Sequence, residues 1–180
     1  HCGCQMVVED EISRFRQERL ENEYKLAKAA FAAGNFAEAY QYYARCLAYD
    51  ADLADALFHK GLCALYLSPP GQVRTAELLA GLSQAVSLRL RQGDIRAALN
   101  DVAESFHFAR WFYQADWGRH DLDPFYNWPQ LANYLNRTIA LADLMGGLLT
   151  FLPYEWLRRF PDAARLKQDM AAFGIELYRR

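Results

Sequence analysis

The sequence predicts an all-α protein, a stack of about eight helices with no sheet. Three observations lead there. Long runs free of Gly and Pro carry apolar residues three and four positions apart, the period of one helix face. Turn residues cut those runs at intervals of a helix's length. Finally, no stretch alternates apolar and polar residues between turn signals, as a half-buried strand would.

The elements follow in order. The first helix is expected over 9–33, where Ile12 and Phe15, then Tyr24, Ala27 and Phe31, fall on helical spacing. Gly34-Asn35 closes it, with Gly34 placed as the left-handed residue that ends a helix. The second helix runs over 36–49 and stops at Asp50-Ala51-Asp52. A third covers about 53–67 and meets Ser68-Pro69-Pro70-Gly71, the strongest turn signal in the chain. Two more, 72–91 and 94–112, are split by Gln92-Gly93. Residues 113–129 are polar and turn-rich with aromatic flanks and are expected to form a loop. Trp128-Pro129 then puts proline at a first helical position, and a helix follows to about Leu152. Pro153 and Pro161 start two shorter helices, the last ending near Arg180.

The size of the chain, 180 residues, suits one domain, or one domain with a fragment of a second. Hydrophobic residues make up 53% and charged residues 23%, enough to bury a core and too apolar for disorder. Twenty Lys and Arg against 22 Asp and Glu leave a net charge of −2, which removes the electrostatic warrant for nucleic-acid binding. The basic residues near the C-terminus, such as Arg158, Arg165 and Arg179, are interleaved with acids and suit a solvated face. The longest apolar stretch, 139–152, carries Asp143 and falls short of the about 20 residues a membrane span needs, so no membrane insertion is expected. With Gly146-Gly147 permitting close contact, it is expected in a central buried helix. The chain begins at His1 rather than Met and is taken as an excerpt or a processed product. Its four cysteines do not form a disulfide framework by spacing, which favours the cytoplasm. Of these, Cys46 and Cys63 sit in apolar helical patterns and are expected as small buried hydrophobes.

Two adjacent helices joined by a tight turn raise the question of a repeat. Over 20–51 the chain carries small residues at Ala27, Gly34, Ala39 and Cys46 and aromatics at Phe36 and Tyr43. That pattern resembles the tetratricopeptide repeat, a 34-residue pair of antiparallel helices. Small residues let the two helices cross closely, and large ones fill the space between repeats. One period later Lys60-Gly61 and Ala64 fall on matching positions. The segment Gln92-Gly93-Asp94-Ile95-Arg96-Ala97-Ala98-Leu99 also mimics Ala33-Gly34-Asn35-Phe36-Ala37-Glu38-Ala39-Tyr40, although not a whole number of periods away. The expected architecture is therefore a helical-repeat solenoid over 9–112 with a divergent C-terminal helical bundle over 130–180.

The resemblance implies an interaction or scaffold module whose concave groove is lined by the first helix of each pair. Its groove positions fall on Tyr24, Lys28 and Phe31, then on Asp55, Phe58, His59, Leu62 and Tyr66. Family members that clamp a C-terminal carboxylate use a Lys and an Asn where this chain has Tyr24 and Lys28, which argues against that clamp. An aromatic groove with one cation suits another protein, through an apolar peptide or a partner helix. The plainer alternative is that these aromatics pack on neighbouring helices or are covered by the chain itself.

Cys2-Gly3, followed by Met6-Val7-Val8, resembles the end of a zinc ribbon, in which C-x-x-C-G precedes a short apolar strand; the resemblance makes Cys2 the last ligand, puts its matching Cys three residues upstream, and leaves Cys4 outside the usual ligand set. The resemblance makes Cys2 a metal ligand only together with ligands upstream of residue 1, so this chain needs no cofactor of its own and zinc would belong to a longer parent. Residues 1–8 are otherwise a tail. Catalytic motifs are absent: there is no G-x-S-x-G, no phosphate-binding G-x-x-x-x-G-K and no H-E-x-x-H. The alternative function is a metal-dependent or acid–base enzyme using Asp116, His120, Asp121 and Asp123. Loop acids beside Trp117 and Pro124 more commonly cap helices and solvate turns, and a non-enzymatic role is preferred.

Overall fold

The computed structural model describes residues 2–69, 72–117 and 128–179. Among them are eight helices and no strand: α1 (Cys2–Ala32), α2 (Phe36–Tyr49), α3 (Ala54–Tyr66), α4 (Thr75–Arg91), α5 (Ile95–Trp117), α6 (Trp128–Leu149), α7 (Tyr154–Arg159) and α8 (Pro161–Arg179). No described helix is long and apolar enough to cross a membrane.

Local chemistry explains the breaks. Gly34 and Gly93 adopt φ of +77° and +79°, a region that costs side-chain-bearing residues. Around both, the helix end is closed in the same way. Asn35 N donates to Ala30 O and Asp94 N to Arg89 O, each at 2.9 Å, spanning six residues back to one. Asp94 then accepts from Ala97 N at 2.9 Å and caps α5. After α3, Ser68 Oγ donates to Leu65 O at 2.6 Å and accepts from Arg74 N at 2.9 Å. That tie holds 72–74 outside the helix, so α4 starts at Thr75 rather than at Gln72. Proline stands at the N-cap of α7 (Pro153) and at the first position of α8 (Pro161).

Two other helices run past their expected bounds. α5 continues to Trp117, five residues into the expected loop, because nothing in 113–117 stops a helix. Likewise α1 begins at Cys2, so Met6-Val7-Val8 is helical instead of the short strand a zinc ribbon requires.

Neighbouring helices pack in chain order, most extensively α1 on α2 and α3 on α4, with α6 and α8 paired at the far side. The small residues of the repeat-like pattern sit where it implies: Ala27, Ala39 and Cys46 are fully buried between α1, α2 and α3. The arrangement is compatible with a helical repeat. The α3/α4 pair is tighter still, since a Cβ on Gly81 would come within 2.5 Å of Leu57 O. The C-terminal helices are no separate bundle. One continuous core joins Phe58 and Leu62 of α3, Leu78 and Leu82 of α4, Phe106 of α5, Leu141 and Leu148 of α6 and Met170 of α8. Gly147 lets α6 approach α4, where a Cβ would meet the Leu79 side chain at 2.8 Å. The other face of α6 carries exposed Leu135, Ile139 and Gly146, so this helix is not buried all round.

Candidate functional site

The eight groove positions lie on α1 and α3, and the structure divides them. Leu62 shares a helix face with Asp55, His59 and Tyr66, but α5 packs against α3 and Leu62 is fully buried in the main core. Phe58 is also fully buried, in the same core as Leu78 and Leu82. Neither is a contact residue of an open groove. Helical period puts Asp55, His59, Leu62 and Tyr66 on one face of α3 but does not say what covers it. Phe31 is partly covered too. Its ring stacks on Phe108 of α5 at 6.1 Å and meets His59 edge-on at 5.1 Å. The middle of the expected groove is thus occupied by α5, leaving a polar end and an aromatic end.

At the polar end, Tyr24 Oη donates to Asp55 Oδ2 at 2.6 Å, and Lys28 Nζ lies 5.5 Å from the centre of the Tyr24 ring. Arg89, in the last turn of α4, pairs with Asp55 and, through Nε at 3.3 Å, with Asp101 Oδ2 of α5. A cation there also suits the negative end of the helix dipole. His59 Nδ1 donates to the Asp55 carbonyl at 2.9 Å, which leaves Nε2 toward Glu104 at 3.8 Å. One guanidinium therefore ties three helices, and Tyr24 adds a fourth.

The electrostatics follow from burial against pairing. Burial alone would raise the Asp55 carboxyl, yet the Tyr24 hydroxyl and Arg89 outweigh it and hold it below the usual carboxylate range. For Asp101 burial wins, and its carboxyl is pushed up to about 6 although Arg89 opposes the rise. Tyr24 is pushed well above the ordinary phenol by burial and by the carboxylate it serves. Burial pushes the Cys46 and Cys63 thiols up to about 11 and about 12, so both stay protonated and unreactive at neutral pH.

At the aromatic end, Tyr66 and Trp111 are 41% and 44% exposed and stack with centroids 5.8 Å apart at an interplanar angle of 14°. Phe36, at the first position of α2, backs both at 4.2 Å and 6.0 Å, and Phe108 lies 5.2 Å from Trp111.

Sequence reasoning missed Arg89, Asp101, Phe108 and Trp111. Asp101, Glu104, Phe108 and Trp111 do recur at three and four along α5, so the stripe itself was readable. Its partners were not, because they depend on how α5 crosses α3. Of the alternative catalytic set, Asp116 falls in the last turn of α5, while His120, Asp121 and Asp123 lie outside the described residues. Cys2 stands at the start of α1. Among the described residues, no group of three or more His, Cys, Asp or Glu is placed to hold a metal ion.

The fold and site define an all-α stack with a partly covered, aromatic-edged face. Comparison with protein-family models, with curated proteins and with solved structures yields no match. The tetratricopeptide pattern stands as a resemblance carried by the residues themselves.

Proposed function

We propose that the chain is a non-enzymatic interaction or scaffold module of tetratricopeptide-like helical pairs, and that it holds an apolar peptide or partner helix against the Tyr66–Trp111 edge. The observation that carries this is the exposed stacked pair. Large aromatics seldom stay exposed together without a role. Here Phe36 and Phe108 hold both rings in place, so a ligand would meet a surface whose ordering cost is already met. Tyr and Trp are also the residue types most often found as binding hot spots. Tyr24, Lys28 and Asp55 sit on the same face and would contact polar parts of the ligand. Two buried free thiols, Cys46 and Cys63, favour a reducing compartment such as the cytoplasm.

The test is selection of peptides from a displayed library against the whole chain, followed by affinity measurement with Trp111→Ala and Tyr66→Ala. The expected result is enriched peptides rich in apolar residues and at least about a tenfold loss of affinity in either variant, in the range of a lost hot spot. Circular dichroism of both variants should match the wild type. Selected peptides that bind both variants as tightly as the wild type would overturn the assignment, as would a failure to select any.

A further inference from the structure

The polar end of the same face carries an imbalance that the interaction reading does not use. Arg89 pairs with two carboxylates, Asp55 on α3 and Asp101 on α5, while Glu104 of α5 lies 3.8 Å from His59 Nε2. The other titratable groups facing this cluster are Tyr24 and Lys28 on α1, Tyr43 and Cys46 on α2, and His59 on α3. Of the cations, Arg89 alone is hydrogen-bonded to a carboxylate of this cluster among the described residues. Its contacts are unequal. Asp55 receives the terminal nitrogen of Arg89 and the hydroxyl of Tyr24, whereas Asp101 receives a single bond from Nε at 3.3 Å. Yet Asp101 is the more buried of the two, with 10% of its side chain exposed against 35% for Asp55. The less well served carboxylate is the drier one, and that is where a proton is worth most.

We propose that this network is a proton-linked clamp, in which mild acid delivers one proton to Asp101 and tightens the packing of α5 on α3 and α4. Protonation removes a buried negative charge and leaves Arg89 to Asp55, which keeps its bond from Tyr24. The clamp does not depend on whether the face binds a peptide.

The sign follows from linkage. Folding raises the Asp101 carboxyl from its ordinary 3.8 to about 6. The folded chain therefore binds the proton more tightly, and the contribution to stability is present below pH 3.8 and lost as pH rises through 6. Asp55, and Glu77 of α4 beside Lys60 and Arg74, are shifted the opposite way, so what they contribute is present above the ordinary carboxylate values and lost as pH falls through and below them. Between pH 7.5 and 5 the shift corresponds to about a tenfold gain in the folding equilibrium constant, approaching about a hundredfold below pH 4.

The experiment is urea unfolding of the wild type, Asp101→Asn and His59→Gln at pH 7.5 and 5. It is joined by hydrogen exchange of α5 at both pH values, corrected for intrinsic rates. The expected result is an approximately tenfold gain for the wild type relative to Asp101→Asn on going to pH 5, slower α5 exchange at pH 5, and retention of both effects in His59→Gln. An equal gain in Asp101→Asn, or loss of the gain in His59→Gln, would overturn the proposal. Should Asp101→Asn fail to fold, carbon-13 NMR titration of the wild-type carboxyls decides. An aspartate midpoint near 6 supports the clamp, and midpoints all below about 4.5 contradict it.

Discussion

The two cores of this molecule are built from different residues. Between α1, α2 and α3 the buried set is Ala27, Ala30, Phe36, Ala39, Tyr43, Cys46, Ala56 and Cys63, small side chains with two large aromatics. From α3 to α8 it is dominated by Leu, Phe and Met, spread over six helices. Small residues let helices cross closely and fix their register, but each removes little apolar surface from water. The larger core buries far more per residue. α3 serves both, turning Ala56 and Cys63 to one side and Phe58, Leu62 and Leu65 to the other. The difference teaches that α1 and α2 form a layer added to a stable body, held by fit at α3 and by straps such as Tyr24–Asp55 and Phe31–Phe108.

The sharpest way to break this comparison is Phe58→Ala. Complete burial in the main core predicts a loss of about 3–5 kcal/mol in urea unfolding, with all eight helices affected. A loss below about 1 kcal/mol would return Phe58 to the surface. Next in size is Gly81→Ala, which forces a methyl against the Leu57 carbonyl, a backbone atom that cannot swing away. Overpacking of this kind costs about 1–3 kcal/mol, and unfolding midpoints will show it. Tyr24→Phe removes one strap while leaving its ring in place. A half-exposed bond to a carboxylate predicts about 1 kcal/mol, confined to α1 and α2 in residue-resolved exchange. Smallest is Arg96→Ala. Arg96 pairs with Asp162 across an exposed contact and lies 4.6 Å from the Phe160 ring centre. Exposed pairs of this type contribute about 0–1 kcal/mol, so a shift beyond that in thermal unfolding would mean the link to α8 matters more than its exposure suggests.

How much of this was legible depends on whether the cause was local. Gly34, Ser68, Gly93, Pro153 and Pro161 act within a turn of their own position, and each helix boundary they predict falls within a few residues of the observed one. Ala27, Ala39 and Cys46 of the repeat-like pattern are buried for the same short-range reason, since helix pairs adjacent in sequence cross there. What fills a helix face from far along the chain left no local mark. Leu62 and Tyr66 lie one turn apart on the same face, yet α5 covers one and leaves the other open. The pairing of Arg89 with Asp55 spans 34 residues and that of Tyr24 with Asp55 spans 31. Helical periodicity names the residues of a face, and only the packed structure decides which of them meet water.

The most direct test of the two-core account is native-state hydrogen exchange on the whole chain across low urea concentrations. Amides of Ala27–Ala32 and α2 should exchange through a partial opening that leaves α3 to α8 protected, at a free energy below that of global unfolding. A single opening energy shared by α2, α4 and α6 would contradict it, and would mean that the small-residue layer is as firmly held as the core beneath it.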